Sequence, residues 1–260
     1  MISEERRSFI SDLAESISSR FFNSNEPILP ELIARKYGVS YCYGEYGDYF
    51  DGMLEHSGGE FHIFINTERH NNPQRHRFSF AHELGHFFID EHSIALAQGL
   101  SAGHCSLTGF VSEQIVEREA DLFGASLLMP KERLLSVYRK NKRFSFGSIQ
   151  SIFRTFQVSL SSALYRVFYL DLHPMMIIKI TNGRIIGNPM RSRDFYYYLR
   201  DKSLPSDSGA LLYFKEGKEF TNTRELYAFD WFKTESSKTI YEHNIYHKSL
   251  KTVYSIIWTD

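Results

Sequence analysis

Apolar residues recur every three to four positions at the start of the chain, where Phe9, Ile10, Leu13, Ile17 and Phe21 are separated by charged residues. That period predicts an amphipathic helix over residues 3–22, ending in the turn-rich Asn23-Ser24-Asn25. Pro27 and Pro30 precede a short helical pattern over residues 31–36, which Gly38 stops. Strand chemistry then takes over: Val39 to Tyr43, Met53-Leu54, and Phe61 to Asn66 behind Gly58-Gly59. From Phe78 to Ile89 most positions are apolar or small, which predicts a helix buried on most of its surface. Asn72 supplies its N-cap and Pro73 its first residue, where proline's missing N–H costs nothing.

Residues 98–110 are rich in Gly, Ser and Thr, lack a period, and read as a loop. The helical period returns with Ser112 as N-cap and Val116, Ala120, Phe123 and Leu127 on one stripe, up to Met129-Pro130. Beside that stripe runs a second row of Glu117, Asp121 and Gly124: two carboxylates four apart and a residue small enough to admit another helix. Residues 146–171 read as two helices joined near Gln157-Val158-Ser159, in the manner of a helix-turn-helix. Arg166 is the only basic residue on the second of them, so packing against the preceding helices explains the pair better than DNA binding does. After Pro174, residues 175–180 followed by Asn182-Gly183 predict a hairpin. A helix over 195–199, a strand over 210–214 and strands over 240–246 and 252–258 complete the expected C-terminal unit.

Composition narrows the picture. With 42% apolar and 15% aromatic residues the chain can build a packed core. Thirty basic and 31 acidic residues leave a net charge of −1, so the overall balance asks for neither nucleic acid nor an anionic membrane, though local patches are compatible with it. Two cysteines, Cys42 and Cys105, are too few for a disulfide framework, and the start of the chain does not read as a signal peptide; the expectation is a cytoplasmic protein. No apolar run reaches the ~20 residues of a membrane span.

The chemistry concentrates in His82-Glu83-Leu84-Gly85-His86. On a helix, residues four apart share a face, so His82 and His86 can present imidazole nitrogens to one ion, while Glu83, rotated by about 100°, can serve an activated water without ligating the metal. Two core histidines at chance spacing are the bland alternative. A catalytic zinc takes three protein ligands and keeps one position open. His92 has the spacing of the third histidine in HExxHxxGxxH, but Ile89 stands where that pattern has glycine, and a β-branched residue resists the left-handed turn that returns the chain to the metal. That favours Glu117 as third ligand, with Asp121 one turn on to orient a ligating imidazole.

The HELGH pentapeptide, followed by the run Glu-Arg-Glu-Ala-Asp-Leu-Phe-Gly-Ala-Ser-Leu-Leu-Met-Pro over residues 117–130, resembles the ImmA/IrrE family of metallo-endopeptidases, with similarity over roughly residues 25–172. The resemblance implies a gluzincin-like zinc site of His82, His86 and Glu117, with Glu83 as general base and manganese as the alternative ion. It further implies cleavage of a separate Cro/repressor-type helix-turn-helix protein, in a stress response or in control of a mobile element. Asp90 stands where the family commonly has a histidine that is not a ligand. The expected fold class is α+β: a mainly helical, zincin-like peptidase domain over 1–140 with a small N-terminal sheet, a helix-turn-helix-like segment over 141–174 packed on it, and a separate α+β domain over 175–260 that senses a ligand or binds a partner. The strand over 61–66 is expected to pair with an extended substrate, and His92, His104 and nearby tyrosines are candidate oxyanion donors. The alternative function is a non-proteolytic regulator with a structural or silent metal site, for which His92 or His104 would have to supply a fourth ligand.

Overall fold

A computed structural model describes residues 2–21, 26–99 and 115–260, together with the backbone of 104–106. Among the described residues are ten helices and two sheets, an α+β fold as expected. The chain divides into two compact units: Met1–Lys140 with Ile149–Arg166, and Asn141–Ser148 with Val167–Asp260.

In the first unit, α1 (Glu4–Ser19) starts where the Ser3 side chain accepts the Arg6 N–H, and it buries Ile10, Ala14 and Ile17. Helix α2 (Pro30–Lys36) begins on its proline and is followed by Gly38 at φ +73°. Next come β1 (Ser40–Gly44), β2 (Gly52–Ser57) and β3 (Glu60–Asn66). Strands β2 and β3 form a hairpin through Gly58 and Gly59, whose φ of +62° and +86° other residues adopt at a cost. A fourth strand, β4 (His104–Ser106), corrects the loop expected at 98–110: its backbone pairs with β2, Leu54 opposite His104, and three residues are too few to show a period. The order is β1-β3-β2-β4. Strand β3 therefore has β1 on one edge and β2 on the other, so its ladder positions are taken and it cannot pair with a substrate backbone.

The motif helix α3 (Pro73–Phe88) starts at the expected pair, with the Asn72 side chain accepting the Gln74 N–H at 3.0 Å. Such a cap contributes about 1 kcal/mol. Every residue of α3 from 78 to 86 is buried. Leu54, Ile63 and Ile65 are fully buried on the sheet face toward α3, and Tyr41 packs edge-on to Phe80 at 5.1 Å. Ile89, in an extended conformation, separates α3 from α4 (Asp90–Ala97). Helices α5 (Ile115–Leu128) and α6 (Lys131–Tyr138) follow. The expected turn at 23–25 and the Ser112 N-cap lie outside the described residues. Helices α7 (Phe146–Phe156) and α8 (Leu160–Tyr169) are the expected pair, with Gln157 between them at φ +50°. Arg166 is buried, donating to Ser126 and the Met129 carbonyl and pairing with Glu15 at 2.9 Å, which removes it from any DNA-facing role.

The second unit holds an antiparallel sheet of β5 (Met175–Thr181), β6 (Arg184–Ile185), β7 (Met190–Arg191), β8 (Arg224–Tyr227), β9 (Thr239–His247) and β10 (Thr252–Trp258). Asn182 and Gly183, both at positive φ, make the expected hairpin between β5 and β6. Ile178, Ile180, Val253 and Ile257 pack with Phe195, Trp231 and Phe232 in its core. Two expectations fail here. Residues 210–214 are not a strand but part of α9 (Gly209–Glu216), because Ser208 caps its start and Gly217, at φ +68°, its end; a short apolar run fits either structure until such stops decide. Residues 195–199 are not helical: Phe195 is buried, Tyr196 exposed and Leu199 bridged to Phe232. A short helix, α10 (Ala228–Trp231), links β8 to β9. No described helix is long and apolar enough to cross a membrane.

Candidate metal centre

Two glycines bring α3 and α5 together. A Cβ on Gly124 would lie 3.1 Å from the His82 backbone nitrogen, and one on Gly85 would lie 3.0 Å from the Ala120 Cα. Only small residues permit that approach, and Gly124 is the one whose size suggested it in the sequence. Phe123, fully buried, lies at this crossing, its Cβ 3.2 Å from where a Cβ of Gly85 would stand, and its burial contributes about 1.5–3 kcal/mol.

The crossing sets side chains from both helices around one point. One ligand atom each from His82, His86 and Glu117 lies within 4.8 Å of the others. His82 Nε2 is 3.1 Å from His86 Nε2 and 3.3 Å from Glu117 Oε2, and His86 Nε2 is 3.5 Å from Glu117 Oε1. Ligand atoms on a tetrahedral zinc at about 2.0–2.1 Å stand roughly 3.3 Å apart, so separation and donor type both fit a divalent ion such as zinc. His82 Nδ1 lies 2.9 Å from Asp121 Oδ1. An ionised carboxylate only accepts, so Nδ1 carries a hydrogen toward Asp121, and Nε2, which faces Glu117, is the nitrogen that would offer its lone pair to a bound ion. Burial alone would lower the His82 imidazole, but hydrogen bonds to Asp121 and Glu117 outweigh it and lift the group to about 10. Burial pushes the Asp121 carboxyl up, against the pull of His82.

Glu83 is fully buried and lies against β2, its Oε1 only 2.7 Å from where a Cβ of Gly52 would stand. Nothing in the local sequence marked Gly52, since the contact joins a strand to a later helix. His92 does not join the ligand set. It lies on α4 with Nε2 3.1 Å from Glu119 Oε2, and Glu119 in turn accepts from Arg6 of α1 at 2.7 and 3.0 Å. Arg6 also pairs with Glu91 at 2.9 Å. The Arg6–Glu119–His92 chain went unseen in the sequence, where no spacing connects α1 to α5. His104 has only its backbone described, so its proposed roles lie outside the described side chains.

Residues 45–168 match the IrrE N-terminal-like domain. This segment belongs to the ImmA/IrrE metallopeptidase family. The IrrE-like segment holds β2, β3, α3 and α5, and thus every residue of the cluster. No curated protein matches the chain significantly. Among solved structures, a Mycobacterium tuberculosis transcriptional regulator is similar over 98% of this chain and 81% of its own, with a TM-score of 0.60 and 12% identity. At that identity the likeness shows the fold alone.

Proposed function

We propose that the chain is a zinc endopeptidase that cuts a regulatory protein, of the Cro/repressor helix-turn-helix type, with His82, His86 and Glu117 holding the ion and Glu83 acting as general base. The observation that carries this reading is the donor set: two imidazoles and one carboxylate from two helices, with Asp121 on the far nitrogen of His82. Zinc or manganese, when bound, supplies a Lewis acid that polarises a carbonyl and lowers the pKa of water. Glu83 takes the proton of the attacking water and delivers it to the leaving amine; its burial beside the ligands keeps it short of bulk solvent. Glu117 is half-buried while both histidines are buried, so the cluster is most accessible on the carboxylate side, where a peptide would enter.

A second reading, a non-proteolytic regulator, draws on the description of the mycobacterial neighbour as a transcriptional regulator. A closed structural site needs a fourth protein ligand, and the pairing of His92 with Glu119 weighs against it. The test is to mix zinc-loaded protein with helix-turn-helix repressors from its own genome, with and without chelator, and to repeat with Glu83→Gln. Chelator-sensitive cleavage that Glu83→Gln abolishes while zinc stays bound supports the peptidase. Cleavage surviving in zinc-bound Glu83→Gln refutes the general base, and no cleavage of any repressor favours the regulator.

A further inference from the structure

Gly52 is the first residue of β2 and is flanked on both sides, paired with Ile65 of β3 and Ser106 of β4. Glycine there weakens a sheet, so its presence signals a close approach. Its φ is not in the left-handed region, and the backbone would accept any residue. What excludes a side chain is Glu83, whose Oε1, Cγ and Cδ would stand 2.7, 3.1 and 3.2 Å from a Cβ. The strand is also pinned to the motif helix next door: buried Asp51 accepts from Arg75 of α3 at 2.9 Å and pairs with Arg69 and His70 at 3.3 Å each.

From this geometry we infer that Gly52 is a positioning residue for Glu83: the bare strand forms a notch that seats the carboxylate beside the ligand cluster, and the Asp51–Arg75 pair keeps the notch in register with α3. The inference rests on the peptidase reading for its kinetic consequence, but the seating itself is independent of it. A methyl at position 52 drives Glu83 to another rotamer and leaves His82, His86 and Glu117 where they are.

Thermal unfolding and zinc stoichiometry are measured for wild type, Gly52→Ala, Glu83→Ala and the double variant, with kcat and KM for wild type and Gly52→Ala on whichever repressor is cut. Gly52→Ala is expected to lower Tm by about 3–8 °C when Glu83 is present and to have no such effect in the Glu83→Ala background. Zinc stoichiometry stays unchanged, KM moves little, and kcat falls about 10- to 100-fold. A Tm loss that persists without the Glu83 side chain, or a Gly52→Ala enzyme with wild-type kcat, overturns the inference. If Gly52→Ala does not fold, a folded double variant supports it and an unfolded one overturns it. Should the wild type cut nothing, the peptidase reading fails while the Tm cycle still decides the seating of Glu83.

Discussion

Replacing Asp121 by asparagine tests the metal centre with the least change of shape. Asp121 is buried, and its Oδ1 lies 2.9 Å from His82 Nδ1. Asparagine has the same outline but no charge, and it can turn either amide atom to the imidazole. If the amide oxygen faces Nδ1, the tautomer survives and only the charge is lost. If the amide nitrogen faces it, two donors meet, and the imidazole relieves the conflict by moving its hydrogen to Nε2, the atom 3.3 Å from Glu117. Either outcome weakens the site. Loss of such an outer carboxylate costs 10- to 100-fold in metal affinity, about 1.4–2.7 kcal/mol. The assay is zinc competition against a chromophoric chelator near neutral pH, with Asp121→Ala alongside. A larger loss in asparagine than in alanine would identify the hydrogen shift as the cause. Wild-type affinity in a folded Asp121→Asn would refute the account of how His82 is oriented.

Other consequences can be measured more simply. Stripping metal with a chelator should lower Tm, and zinc at a hundredfold over its Kd should restore about 2.7 kcal/mol, or about 5–10 °C for a chain of this size; no shift would mean that the native fold does not bind the ion. Gly124→Val forces a branched side chain against the His82 backbone and should destabilise by about 1–3 kcal/mol, with loss of zinc binding as α5 moves away; unchanged zinc affinity in unfolding and titration experiments would show the crossing to be looser than described. In the second unit, burial lowers His243, stacked on Phe146, to about 4. Its unfolded value lies near 6.5, so the unfolded state binds the proton first, and stability is intact above that pH and falls as pH drops toward 4, by up to about 3 kcal/mol. His243→Phe should flatten that part of the pH profile in urea denaturation, and an unaltered profile would sink the assignment.

What could be read in the sequence was whatever a single helix turn records. His82 and His86, Glu117 and Asp121, and the Asn72-Pro73 start all depend on spacings of four residues or fewer, and the structure brings the three candidate ligand atoms into one cluster. What escaped depends on pairings between distant segments. Strand order is one case: Phe61 to Asn66 reads as a good strand, but nothing in those residues says that both edges are occupied. Gly52 against Glu83 is another, and so is Arg6 with Glu119. In the C-terminal unit the apolar run over 210–214 lacked the length to show a period, and the cap at Ser208 outweighed it.

The bond from Arg6 to Glu119 also bears on how far the IrrE-like unit extends along the chain. The family signature starts at residue 45, yet the guanidinium that neutralises buried Glu119 comes from the first helix. A polypeptide trimmed to the signature would lose α1 and its guanidinium together, leaving Glu119 and His92 without their cation and the face of α5 that α1 covers open to water, two residues from Glu117. The boundary recognised by sequence likeness and the boundary of the packed unit are therefore different places, and the IrrE-like segment should be expressed with the opening helix attached.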